Sequence, residues 1–218
     1  MKHGLLFFVL LVSFCGNGLA QELRFGVKGG ANVATIGGDH TENLDPRISV
    51  HLGGLLEVPL NGKFALQPEL LYSSQGSSQQ YYNLVTDSSV KTKTKLDYIH
   101  VPVMGKYYII KNLSIELGPQ IGFLVLAKNK YKGHMDSGRI DVRDFYSTLD
   151  FGIGAGASYY LNNGVFFSLR FNKGISNIQA HGYDSYYMDS GVWICGTEDH
   201  SRVRQRNNAL QISAGYTF

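Results

Sequence analysis

The sequence predicts an all-β protein: an eight-stranded antiparallel up-and-down transmembrane β-barrel with short periplasmic turns and long external loops. Three observations lead there. Eight segments alternate apolar and polar residues with a period of two, the signature of strands with two different faces. Connections after the second, fourth and sixth segments are about four residues long and the others roughly 12 to 30, matching outer-membrane barrels, which sort short and long loops by end. The polar faces share Arg, Lys, Glu, Gln, Asp and Ser, while the opposite faces are apolar throughout. A soluble barrel hides its apolar series; a membrane barrel turns it to lipid.

At the N-terminus, Lys2 and His3 precede an apolar run from Leu5 to Phe14, followed by Gly16, Asn17, Gly18, Leu19 and Ala20. The run is too short to span a bilayer and small residues follow it, so residues 1–20 are expected to be a signal peptide and 21–218 the barrel domain. Cys15 leaves with the leader, Cys195 remains alone, and stability must come from strand closure and packing rather than a disulfide. The net charge of +3, lowered by one when Lys2 is removed, does not point to nucleic acid. With 26 Gly, 14 Tyr and 12 Phe against 5 Pro, the composition suits strands that approach closely and end in interfacial rings.

The first strand runs from Leu23 to Val33, with Phe25, Val27 and Ala31 opposite Arg24, Lys28 and Asn32. The second, Ile48 to Val58, alternates with Ser49, His51 and Glu57, and Pro59-Leu60-Asn61-Gly62 turns the chain. The third, Phe64 to Ser73, contains Pro68, which cannot donate to the ladder, and a bulge is expected there. Gly76 to Lys95 reads as a solvated loop, and Lys91, Lys93 and Lys95 near its base are placed either to meet anionic headgroups or to form a solvated strand extension. The fourth strand, Asp97 to Tyr108, carries Pro102; after Ile110-Lys111-Asn112 the fifth runs from Leu113 to Val125. Lys128 to Phe145 is a second polar loop. Leu149 to Tyr159 and Val165 to Gly174 flank Asn162-Asn163-Gly164, a hairpin signal because Asn-Gly suits a two-residue turn. Ile175 to Gln205 is the longest connection, and Asn208 to Phe218 closes the ring.

Eight strands enclose room for side chains or one small ligand. The polar series places Arg24, Lys28, Glu57, Glu69, Glu116, Asp150 and Arg170 in the lumen, with Lys106, His51, His100, Gln67 and Gln120. Nearly balanced charge predicts a salt-bridged plug; the alternative is a narrow ion path or small-molecule cavity, for which Gly152, Gly154 and Gly156 would supply space. No G-x-S-x-G or H-E-x-x-H motif occurs, so no catalytic residue is assigned, and a Ser–His–Asp or two-carboxylate cluster within hydrogen-bond reach would distinguish an enzyme. The acidic residues, Cys195 and His200 of the last loop lack metal-ligand spacing, and neither metal nor cofactor is expected. Tyr183, Tyr186, Tyr187 and Trp193 in that loop suggest either a contact surface or a cap over the barrel mouth.

The chain resembles the PorT-like outer-membrane β-barrel proteins of Bacteroidetes. The shared features are F-G-V-K-G-G-A-N at Phe25 to Asn32, L-D-Y-I-H-V-P-V-M-G-K-Y-Y at Leu96 to Tyr108, G-P-Q-I-G-F at Gly118 to Phe123, and A-G-Y-T-F at Ala214 to Phe218. A monomer in the cell outer membrane is expected, and the resemblance implies inward or rim positions for Lys28 and Asn32 and a C-terminal signal at Tyr216 and Phe218 read by the barrel-assembly machinery. It transfers no catalytic residue. Expected partners are outer-membrane lipid and lipopolysaccharide, the assembly machinery during biogenesis, and an envelope or secretion-system protein. The expected function is that of a non-enzymatic structural or interaction barrel or an accessory to envelope protein export; a small pore or ligand-binding barrel and a lipid-modifying hydrolase are the alternatives.

Overall fold

Period-two alternation leaves each strand with one face that must avoid water, and only ring closure satisfies every strand edge at once. A computed structural model of the protein describes residues 23–39, 41–42, 44–83, 88–132, 137–180, 186–189, 192–195 and 204–218. Its strands are β1 (Arg24–Gly38), β2 (Asp45–Asn61), β3 (Phe64–Asn83), β4 (Ser88–Ile110), β5 (Leu113–Lys132), β6 (Ser137–Asp141), β7 (Leu149–Tyr160), β8 (Val165–Gly174), β9 (Tyr186–Asp189), β10 (Val192–Cys195) and β11 (Gln205–Thr217). Eight of them close the ring β1-β2-β3-β4-β5-β7-β8-β11, all neighbours antiparallel, and β6 extends the external end of β5. The closing seam runs unbroken from Gly26↔Thr217 to Gly38↔Gln205. β9 and β10 form a separate hairpin.

The sequence-predicted strand cores all lie in this ring, and their outward residues form the apolar belt. Ile48, Val50 and Leu52 of β2, Leu70 of β3, Leu117 of β5 and Leu169 of β8 are exposed. Phe25, Phe64, Tyr159, Phe167, Tyr216 and Phe218 gather at the short-turn end, an interfacial aromatic girdle. The rings of Tyr216 and Phe218 meet edge to face at 5.2 Å, and the Phe218 amide donates to the Phe25 carbonyl across the seam. No helix among the described residues is long and apolar enough to cross a membrane, which is immaterial to a barrel. The periplasmic turns are tight, and Gly62 and Gly164 take the positive φ that β-hairpin turns demand.

Three expectations are corrected. First, Gly76 to Lys95 is not a loop: β3 and β4 stay paired from Gly76↔Lys95 to Asn83↔Ser88, and β5 and β6 add to the same ribbon. Its polar composition suggested coil, yet alternating Lys and Thr is compatible with pairing once a partner strand is present. Second, Pro68 makes no bulge. Pairing to β2 lapses between Leu55↔Glu69 and Val58↔Leu66 and resumes in the same register, so the missing N–H only interrupts the ladder. The register shifts lie elsewhere: between Pro46 and His51 and between Pro59 and Asn61 on β2, between Tyr108 and Ile110 on β4, and where Asp97 pairs with Leu126 and Tyr98 with Leu124, leaving Val125 as the extra residue. Third, the Lys128 to Phe145 connection contains β6 and a short 3-10 turn, Arg143–Phe145.

Candidate functional site

The barrel interior is built from alternate residues of every strand, and from the periplasmic end upward it is packed in layers. At the lowest level Glu57 of β2 accepts from Lys106 Nζ at 2.9 Å and from the Tyr108 hydroxyl at 2.7 Å. The Tyr160 hydroxyl reaches the same carboxylate at 3.3 Å and also meets Lys106 Nζ. Arg24, half exposed at the rim, reaches Glu57 at 3.4 Å. Tyr160 stacks on the buried Phe166 ring, so aromatic surface closes this end around the charges.

Gln67 joins this level to the next: it accepts from Lys106 at 2.9 Å and donates to Glu69 at 2.6 Å. There Arg170 of β8 binds Glu69 of β3 through two guanidinium nitrogens, at 2.9 and 2.7 Å, and donates its Nε to Glu116 at 2.6 Å. Lys28 completes the cluster on Glu69 at 2.8 Å. Arg24, Lys28, Glu57, Glu69, Glu116 and Arg170 therefore form one connected network, together with Lys106. Asp150 does not join it. It lies at the other end of the lumen, accepting from Asn207 Nδ2 at 3.0 Å and the Ser176 hydroxyl at 2.8 Å, because β7 carries it to the external rim.

Burial explains why the pairing is so complete. The charged ends of Lys28, Lys106 and Arg170 are within 2 % of full burial, as are those of their acceptors Glu57, Glu69 and Glu116. Three cations meet three anions, and a charge removed from water is tolerated only when its hydrogen-bonding capacity is used. Gly156 lies between Glu116 and Arg170 in the same row, and an added Cβ there would sit 2.4 Å from the Leu169 carbonyl oxygen. The missing side chain is what lets Arg170 lie across to Glu116. The space expected at Gly152 and Gly154 is likewise occupied, by Gln120 and by Asn172 with Arg170.

Above the charges is a neutral layer that sequence reasoning did not find. His51 Nδ1 lies 2.7 Å from Asn32 Oδ1, and His51 Nε2 lies 2.7 Å from Ser213 Oγ, bridging the row over Gly30. The Asn32 amide nitrogen is fixed by Ser73 Oγ, Ser74 O and Val50 O, so its oxygen can only accept from the ring. This is the order of a Ser–His–Asn relay. Its members come from β1, β2 and β11, so no local sequence spacing could reveal it. The three residues are buried, and Ser213 is paired to Gly30 on one side and Ser168 on the other, which commits its backbone amide to the ladder rather than to an oxyanion.

The external mouth is closed by a small apolar core. Ile36, Leu96, Tyr98, Leu124, Ala127, Val142 and Ile178 are buried together, with Leu44, Phe145 and Tyr146 packed against them. Ile178 comes from the last long connection and Val142 from the one after β6, so external loops fold down into the barrel. Of the aromatic loop residues, Tyr183 lies outside the described residues; Tyr186 and Tyr187 lie in β9 and Trp193 in β10, with Trp193 opposite Met188 and Ile194 opposite Tyr187. The expected signal peptide also lies outside the described residues. Among the described residues no group of three or more His, Cys, Asp or Glu side chains is arranged to hold a metal ion.

A closed eight-stranded ring with a lipid-facing apolar belt, a polar filled interior and loops sorted by length defines a transmembrane β-barrel of the outer membrane. The chain belongs to the outer membrane protein beta-barrel domain family, which matches residues 19–180. Among solved structures it is similar to Neisserial surface protein A, NspA, at 12% identity and a TM-score of 0.50, covering 91% of this chain and 100% of that one. It is also similar to Ail, the attachment invasion locus protein of Yersinia pestis, at 13% identity and a TM-score of 0.49, with 91% and 100% covered. At such identities the likeness concerns the fold alone. No curated protein matches the chain.

Proposed function

We propose that this barrel is a non-conducting, non-enzymatic interaction protein that works through its external face. The observation that carries the reading is the packing of the lumen: paired charges at mid-barrel, a hydrogen-bonded neutral layer above them and an apolar core in the mouth. A hydrated path would need water to replace those contacts, and eight strands leave little room for it. The paired extension of β3, β4, β5 and β6 beyond the belt supports an ordered external surface, and the β9–β10 hairpin, which carries Tyr186, Tyr187 and Trp193, lies in the last long connection. The motifs shared with PorT-like barrels favour an envelope or secretion-system protein as the partner there, with the barrel acting alone in its ring and reaching the membrane through the terminal aromatics Tyr216 and Phe218.

Conductance tests this reading. The purified barrel in a planar bilayer is expected to give no steps at 1 M-class salt above those of protein-free bilayers, and discrete steps that are reproducible across preparations would overturn it in favour of a small pore. The Ser213–His51–Asn32 contact favours a hydrolase as the second reading, and it is tested separately. A fluorophosphonate probe is expected to label wild type no more than Ser213→Ala; labelling of wild type that disappears in Ser213→Ala would establish the hydrolase instead.

A further inference from the structure

The external ribbon carries an arrangement that strand pairing alone disfavours. Lys91 lies opposite Lys132, Lys93 opposite Lys130 and Lys95 opposite Lys128, and Lys130 lies opposite Arg139 on its other side. Directly opposed like charges weaken a sheet, and here three successive same-face rows repeat the opposition. The acidic groups on this face are few among the described residues. Asp97 pairs with Lys95 at 2.7 Å, and Asp141 lies opposite Lys128. Lys91, Lys93, Lys130, Lys132 and Arg139 have no acidic register partner. The Arg139 guanidinium, with Lys95, Arg47 and Lys93 nearby, holds the Lys130 ammonium below its ordinary pKa.

Register also fixes the direction in which the ladder points. Leu96 and Ala127 are paired and buried in the mouth core, so their neighbours Lys95 and Lys128 project to the opposite, outward face. On the same strands that face carries the half-buried Ile99 and the exposed Val101 and, on β5 past the bulge at Val125, the exposed Phe123, which belong to the lipid belt. With about 3.4 Å per residue and a tilt of about 40°, Lys95 to Lys91 stand roughly 10 to 20 Å above Ile99. The headgroup layer is about 5–8 Å deep on each side, so the lowest rung stands near its level and the upper rungs rise past it to the height of the inner sugars.

We propose that the outward face of the β4–β5–β6 ribbon binds the phosphate groups of outer-leaflet lipopolysaccharide, with Lys91, Lys93, Lys130, Lys132 and Arg139 as the ligands. The occupant follows from charge and position together. A dianionic phosphate between opposed lysines removes their repulsion and accepts from both ammonium groups, and lipid anchored beside the belt brings its phosphates to this height without leaving the membrane. A soluble polyanion has the charge but no reason to match the outward face directly above the lipid-facing residues. The inference deepens the reading of the external ribbon as the interaction surface, and it concerns the ribbon only, not the lumen.

The test uses the full barrel in neutral phosphatidylcholine nanodiscs, titrated with bisphosphorylated lipid A, with enzymatically dephosphorylated lipid A and with inorganic pyrophosphate. Wild type is expected to prefer the bisphosphorylated lipid by about tenfold or more over the dephosphorylated one, to lose most of that preference as salt rises, and to bind pyrophosphate weakly. The triple variant Lys93→Gln, Lys130→Gln, Lys132→Gln is expected to lose the preference, and the corresponding triple Lys→Arg variant to keep it. The heat-dependent shift in electrophoretic mobility of a folded barrel is read on each protein. If the triple Gln variant does not fold, Lys130→Gln alone serves, with a loss of about threefold expected. Equal binding of the two lipids by wild type, or an undiminished preference in a folded Gln variant, overturns the proposal. Pyrophosphate binding as tight as lipid A overturns the lipid source, and crosslinking of an acidic envelope protein that depends on these lysines while lipid binding does not would replace lipid with protein as the occupant. Conductance recorded on the same preparations reports separately on whether the barrel is closed.

Discussion

Replacing Arg170 with Met is expected to lower the folding free energy of the barrel by about 3–5 kcal/mol, the usual cost of stranding one partner of a buried ion pair. Arg170 is buried among Glu69 and Glu116, and its three charge-assisted hydrogen bonds are the centre of the lumen network. Removal leaves Glu69 with Lys28 and Gln67, but among the described residues leaves Glu116 a 3.4 Å contact from the Ser158 hydroxyl. Equilibrium urea titration in lipid vesicles measures the change. Adding Glu116→Gln to the Arg170→Met variant is expected to restore part of the lost stability, because the stranded charge is then gone. If Arg170→Met costs less than about 1 kcal/mol, the network is solvated and the filled-lumen argument fails with it.

Gly30→Val is expected to cost at least about 3 kcal/mol and to reduce the folded, heat-modifiable species sharply. A Cβ at Gly30 would lie 1.9 Å from the Ile212 carbonyl oxygen and 2.8 Å from the Ser213 Cα, and both are backbone of β11. No side-chain rotation relieves that overlap. β1 and β11 would have to move apart at the seam that closes the ring, and the His51–Ser213 contact over Gly30 would be lost too. Gly54→Ala is the control: its Cβ would find the Gly26 carbonyl oxygen at 3.7 Å, ordinary contact, and folding is expected to be unchanged within about 0.5 kcal/mol. Equal behaviour of the two variants would show that the seam tolerates displacement.

Where sequence reading stopped can be traced to particular residues. The alternation of Ile48, Val50 and Leu52 with Ser49, His51 and Gly53 is visible locally because a strand repeats every two residues, and the belt follows from it. The lumen side of Lys28, Glu57, Glu69, Glu116 and Arg170 was legible for the same reason. Asp150 faces the lumen as its parity predicts, but at the external end, since parity assigns a face and says nothing about depth. The polar run from Gly76 to Lys95 was misread because its composition is that of a loop, and only the presence of β5 beside it makes the ribbon persist.

By itself, the sequence determined which residues face lipid and which face the lumen, where the tight turns fall, and that the chain is an outer-membrane barrel. These depend on short-range periodicity and on loop length, which are properties of the chain read along its own axis. Tertiary structure alone decided who meets whom: Glu69 with Arg170 across 101 positions, Ser213 with His51 across 162, and Lys93 opposite Lys130. Such contacts depend on register and stagger between strands, which closure of the ring sets for all eight together. A one-residue slip in any pair would put the same side chains on the other face and dissolve both the lumen network and the external lysine ladder.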